Sequence, residues 1–164
     1  MNMLPCLSLT ALLFATPAFG QVVMGRFGFV ATGQLGTAGE FCWVFDCTPR
    51  QLSVVAGETL TLRINAPYQA FYAIGWAPDA PNCVPIPGFN NSLILGLPIG
   101  VLTAGFVSQQ SPILACWGGT EQVLLPLPNG VPSGASVALQ AIADLPSPTP
   151  STLSFSVAVV LTVQ

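Results

Sequence analysis

A period of two is the strongest constraint on this chain. Over residues 153–164, Leu153, Phe155, Val157, Val159, Leu161 and Val163 share one parity. Ser154, Ser156, Ala158, Thr162 and Gln164 share the other, with only Val160 out of pattern. Successive side chains of a strand point to opposite faces, so the spacing predicts a long β-strand with one buried face. The same period recurs in Gly57-Glu58-Thr59-Leu60-Thr61-Leu62-Arg63-Ile64-Asn65, where Leu60, Leu62 and Ile64 alternate with Thr59, Thr61 and Arg63. After the break Ala66-Pro67-Tyr68-Gln69-Ala70, the segment Phe71-Tyr72-Ala73-Ile74-Gly75-Trp76 reads as the return strand of a hairpin, because the residue before a proline is pushed toward extended conformations.

Further strands are expected at residues 26–30, 41–45, 51–55, 120–125 and 136–142, with residues 31–40 as a turn-rich connection. Residues 76–88 carry four prolines and read as a stiff loop. Residues 93–107 are uncharged and mostly apolar, but the run is about 15 residues where a membrane helix needs about 20, and Pro98 and three glycines break it. Buried strands joined by a glycine bend account for it better. About eight short strands separated by turn signals predict an all-β fold, a two-sheet antiparallel Greek-key sandwich of immunoglobulin-like type.

Residues 1–20 are set apart as a signal peptide. Residues 4–14 form an apolar run, Pro17 ends any helix, and Ala18-Phe19-Gly20 places small residues before a cut at Gln21. Residues 21–164 are then one domain, secreted or at the cell surface, with no transmembrane span. Four cysteines remain: Cys42, Cys47, Cys83 and Cys116. An even count in an exported chain favours two disulfides over a zinc site, since no paired C-x-x-C is present. The expected pairing joins Cys42 to Cys47 and Cys83 to Cys116, with long-range crossings as the alternative. The first bond requires the chain to reverse within residues 43–46, because a straight strand would hold those α-carbons about 16 Å apart.

Composition excludes several kinds of chemistry. Charged residues are 5% of the chain against about a quarter in ordinary soluble domains, and there is no histidine and no lysine. Three arginines cannot neutralise a phosphate backbone, so nucleic acid is not an expected partner. Serine–histidine, cysteine–histidine and serine–lysine nucleophiles are all ruled out. A pair of carboxylates drawn from Glu40, Asp46, Glu58, Asp79, Glu121 and Asp144 could in principle cleave a glycoside, yet no spacing singles one out and turn or solubility roles explain each. No enzyme activity, no cofactor and no metal are expected; Asp79-Ala80-Pro81-Asn82 reads as a turn rather than a calcium loop. Asn90-Asn91-Ser92 matches a glycosylation acceptor.

Taken in order, Gly57-Glu58-Thr59-Leu60-Thr61-Leu62, Ala73-Ile74-Gly75, Leu124-Leu125-Pro126-Leu127-Pro128-Asn129 and Val137-Ala138-Leu139-Gln140-Ala141, with the final strand, resemble a secreted β-sandwich domain found in exported proteins of some environmental bacteria. The resemblance covers residues 48–164; the segment between Cys83 and Cys116 departs from it in length. It implies a sandwich fold and carries no functional residue with it. Two expectations follow from the residues themselves. Scarce charge, and none at all in residues 80–120, favours an exported structural or adhesive module that associates with itself or another surface protein. Exposed aromatics, with Trp76, Tyr68 and Tyr72 as candidates, would instead suit a carbohydrate-binding module that stacks on polysaccharide. Trp43 and Trp117 adjoin cysteines and are expected in the core.

Overall fold

The computed structural model describes residues 27–42, 46–111, 118–145 and 153–164. The expected signal peptide, Trp43, Cys116 and Trp117 lie outside them. Twelve strands and no helix occupy the described residues: β1 (Gly28–Gly33), β2 (Gly36–Glu40), β3 (Arg50–Val54), β4 (Thr59–Pro67), β5 (Phe71–Ala77), β6 (Val84–Pro85), β7 (Ser92–Leu93), β8 (Gly100–Phe106), β9 (Gln109–Gln110), β10 (Gly118–Pro126), β11 (Ser136–Asp144) and β12 (Leu153–Val163). One five-stranded sheet runs β2-β1-β4-β10-β9 and a second runs β3-β12-β11-β5-β8; β6 and β7 form a small hairpin apart. All pairings are antiparallel except that of β3 with β12.

The two sheets enclose one core. Leu60, Leu62 and Ile64 of β4 and Phe29 of β1 face Ile74 of β5, Leu139 of β11, and Val159 and Leu161 of β12, all nearly inaccessible to water. Each such side chain stabilises the fold by roughly 1.5–3 kcal/mol through removal of apolar surface from water. The alternation in residues 59–64 is therefore realised as read, but its expected partner is not. β4 and β5 lie in different sheets, so they form a corner between layers rather than a hairpin. The turn is tight: Ala70 N–H donates to Pro67 O, and Gln69 takes a left-handed φ of 65°. Crossing over lets the apolar faces of both strands meet across the interior, whereas pairing them would have left one sheet without its central strand.

Two further expectations are corrected. Residues 31–40 are a hairpin rather than a turn-rich connection, with Gly33 paired to Gly36 and Phe29 to Glu40. In β12 the apolar stripe is not continuous: the register shifts between Gln140 and Ile142 of β11, so Ala158 opposes Gln140 and Phe155 opposes Ile142. An extra residue reverses which parity faces inward. Val159, Leu161 and Val163 enter the core, while Phe155 turns to the outer face and stacks on Phe89, ring centres 5.3 Å apart.

Residues 78–99 join β5 to its neighbour β8 by a long excursion across that outer face. Small side chains make room for it: Ala77 and Ala138 pack under Leu95, Leu93 and Ala80. Gln140, buried on the same face, holds it with its amide; Oε1 accepts Ile94 N–H at 2.9 Å, and Nε2 donates to Ser92 O and Ser156 O. Asn90 pairs with Ser154 where β12 extends beyond β3, and its N–H donates to Leu153 O. The Asn90 amide donates to the Ser154 hydroxyl and the side chain is buried, so the glycosylation acceptor is closed in the folded state.

The excursion explains the disulfide. Cys47, just ahead of β3, bonds to Cys83 in the excursion, with α-carbons 5.4 Å apart, and not to Cys42. The expected Cys42–Cys47 and Cys83–Cys116 pairings are thereby overturned, because the path of residues 78–99 carries Cys83 over β12 to the start of β3. Cys42 is itself disulfide-bonded, and its partner falls outside the described residues. Closing 36 residues contributes about 4 kcal/mol in the chain-entropy account.

Candidate functional site: an uncharged edge and an aromatic row

Residues 93–107 read as buried strands, yet among the described residues β8 is the outermost strand of the second sheet and pairs with β5 alone. Edge position leaves its outward face to solvent, so Val101 is 72% and Phe106 65% exposed. The approach to the strand is equally apolar, with Leu97 85% exposed and Ile99 partly so. No charged residue lies between positions 80 and 120. The result is a contiguous neutral border at one side of the sandwich.

At the end of this border the register builds an aromatic row. Phe106 of β8 pairs with Phe71 of β5, and the rings meet edge to face with centres 5.7 Å apart. Ala143 of β11 pairs with Tyr72, which sets the exposed carboxylate of Asp144 beside Phe71. The Pro67–Ala70 turn rises over the row, held by Gln69 N–H donating to Val107 O at 2.9 Å. Pro67, Tyr68, Gln69, Ala70, Phe71, Phe106 and Asp144 line a cleft of about 310 Å³. Rings offer apolar faces, while the Gln69 amide, the Tyr68 hydroxyl and the Asp144 carboxylate offer hydrogen bonds. A second cavity of about 190 Å³, lined by Val54, Leu127, Val131, Val137, Leu161 and Val163 among others, is almost wholly apolar, with the Ser136 hydroxyl as its one polar side-chain group.

Of the aromatic candidates, only Tyr68 belongs to the cleft. Tyr72 is buried, because it follows Phe71 in a strand and so points to the opposite face. Burial, with the Glu121 charge adding to it, raises the Tyr72 phenol above its ordinary pKa. Trp76 is 40% exposed, but it lies roughly 16 Å further along β5 than Phe71 and on the other face. Its indole covers Gly100, where any Cβ would collide with the ring. The three therefore do not converge. Phe71 and Phe106, which complete the row, were hidden because only strand register brings residues 35 positions apart together.

The carboxylates take up structural duties. Glu58 is buried, its two oxygens accepting Val55 N–H at 2.7 Å and Gln34 N–H at 2.6 Å. Glu121 accepts both the N–H and the hydroxyl of Ser108. Glu40 and Asp46 both bind Arg50, at 2.8 Å each. Burial lowers the pKa of that guanidinium, but the hydrogen bonds and charges of the two acids outweigh it, so the net direction is upward. Arg50 thus ties β2 of one sheet to β3 of the other. Among the described residues no group of three or more His, Cys, Asp or Glu side chains could hold a metal ion, and no helix is long and apolar enough to cross a membrane.

Neither a family model nor a curated protein matches the chain. A solved structure of fusolin spindles from a Wiseana entomopoxvirus aligns with 71% of this chain at 11% identity and a TM-score of 0.41. This chain spans 41% of that one.

Proposed function

We propose that the chain is an exported, non-catalytic structural or adhesive module that associates through its uncharged border at the cell surface or in an extracellular matrix. The observation that carries this reading is the neutral apolar run Leu97, Ile99, Val101 and Phe106 at one side of the sandwich. Exposed apolar side chains in continuity favour contact with another surface, and the run itself carries no charge. The Cys47–Cys83 bond suits an oxidising compartment. An immunoglobulin-like Greek-key arrangement belongs to the same reading, supported by two facing five-stranded sheets whose pairings are antiparallel apart from that of β3 with β12. The solution mass of the exported chain, followed by light scattering across concentration, tests the association. Growth of the mass with concentration is expected; one monomeric mass throughout rejects self-association.

The aromatic row favours a second reading, a polysaccharide-binding module that uses Tyr68, Phe71 and Phe106 for stacking and Asp144 for hydroxyl groups. Phe106→Ala then loses retention on insoluble polysaccharide, while Trp76→Ala keeps it. Equal retention of wild type and Phe106→Ala would remove the row from consideration.

A further inference from the structure

We infer that β8 pairs antiparallel with β8 of a second copy, joining two five-stranded sheets into one of ten strands. The inference rests on the association reading and names both its partner and its geometry. Val107 N–H donates to Ala70 O and Val107 O accepts Gln69 N–H, so both groups of Val107 face the β4–β5 corner. In an antiparallel ladder, residues alternate between facing one neighbour and facing the other. Gly105 accordingly turns to β5, while Ala104 and Phe106 turn their N–H and C=O groups outward. Both residues are exposed. An outward row of unpaired backbone groups is a template for another strand.

The remaining edges are guarded. β3 begins at Arg50, which is bound to Glu40 at the end of β2, so one ion pair closes both edges on that side. The free stretch of β10 begins at Glu121, fastened to Ser108, and ends at Pro126, which has no N–H to give. β8 has seven residues, no charge and no proline. Charge and proline are common devices against edge pairing and β8 has neither; its one irregularity, the extra residue Leu102 opposite Ile74 and Gly75, lies outside the stretch from Thr103 to Phe106 that presents the outward groups.

A second copy is the occupant that fits. A two-fold axis near Ala104 sets the strand against itself in the antiparallel sense and lets the outward groups of Ala104 and Phe106 meet their counterparts. Like strands usually repel through like charges, but residues 80–120 carry none. The same neutrality gives a charged partner no complement to recognise. Across the axis the exposed Val101 and Phe106 side chains approach each other, adding apolar burial to the ladder.

Ala104→Pro is the deciding variant, measured by light scattering on the exported chain. Its N–H points outward, so proline leaves the pairing with β5 in place and blocks only the new ladder. Association weakens by about tenfold or more, which corresponds to the loss of one or two hydrogen bonds, and the far-ultraviolet circular dichroism is unchanged. Should that variant fold poorly, Ala104→Lys decides: two lysines close to the axis weaken association at low salt, and 0.5 M salt restores it by screening. Wild-type association that both variants leave unchanged overturns strand pairing alone and keeps the association reading. A wild-type chain that stays monomeric at every concentration overturns both.

Discussion

Single residues in this fold act where two segments must be fastened. Glu58 is the clearest case, since each of its oxygens accepts a backbone N–H, one from the β1–β2 turn and one from the β3–β4 turn. Glu58→Gln keeps the volume but replaces one acceptor with a donor, leaving a backbone N–H facing a second donor. The expected loss is roughly 1–3 kcal/mol, read as a lower midpoint in chemical denaturation. Tyr72 makes a different prediction. Its folded pKa is raised above the unfolded value of 10.0, so the unfolded chain releases the proton first. The stability tied to the neutral phenol is complete below pH 10 and is lost as the pH climbs through the higher folded value. Tyr72→Phe removes this share of the alkaline fall, which a pair of thermal melts at pH 8 and above pH 10 would reveal. If the two proteins lose equal stability over that interval, the phenol is not responsible.

Elements show where residue-level reading succeeds and where it stops. Alternation in residues 59–64 and 153–163 located β4 and β12, and the strands near residues 51–55, 120–125 and 136–142 followed from the same signal. Periodicity reports which face of a strand is buried; it does not report which sheet the strand joins. Hence the period alone makes β5 the hairpin partner of β4, although the corner at Gln69 sends it to the other layer. Likewise the apolar run around β8 suggested burial, because hydrophobicity alone cannot distinguish a central strand from an unprotected edge. Tyr68 of the cleft was readable as an aromatic beside a proline; Phe71 with Phe106 was not, since their contact depends on register. The excursion over residues 78–99 had no periodic signal at all, and what fixes it is a buried polar residue. Replacing that residue tests the claim: Gln140→Leu strands the Ile94 N–H and two carbonyls, with an expected cost of roughly 2–4 kcal/mol. Faster amide exchange confined to residues 78–99 should accompany it, whereas uniform change across both sheets would mean that the excursion is held by the disulfide and packing alone.

At the scale of the molecule, charge and shape are divided between different parts. Among the described residues Glu40, Asp46, Arg50, Glu58, Arg63 and Glu121 lie on or beside β2, β3, β4 and β10, Asp144 ends β11 and Asp79 opens the excursion after β5, whereas β8 itself carries no charge. The net charge is only −3, so repulsion between copies is weak at neutral pH. None of it lies on β8 itself. Association through β8 should therefore respond little to added salt, with slight strengthening as the net negative charge is screened. It should strengthen more clearly as the pH falls toward the isoelectric point near 4.3, where the long-range repulsion vanishes. An interface built from ion pairs would behave in the opposite way, weakening with salt and with protonation of its carboxylates. Light scattering over a grid of salt and pH separates the two, and a steep loss of association with salt would move the interface away from β8 to the charged side of the sandwich.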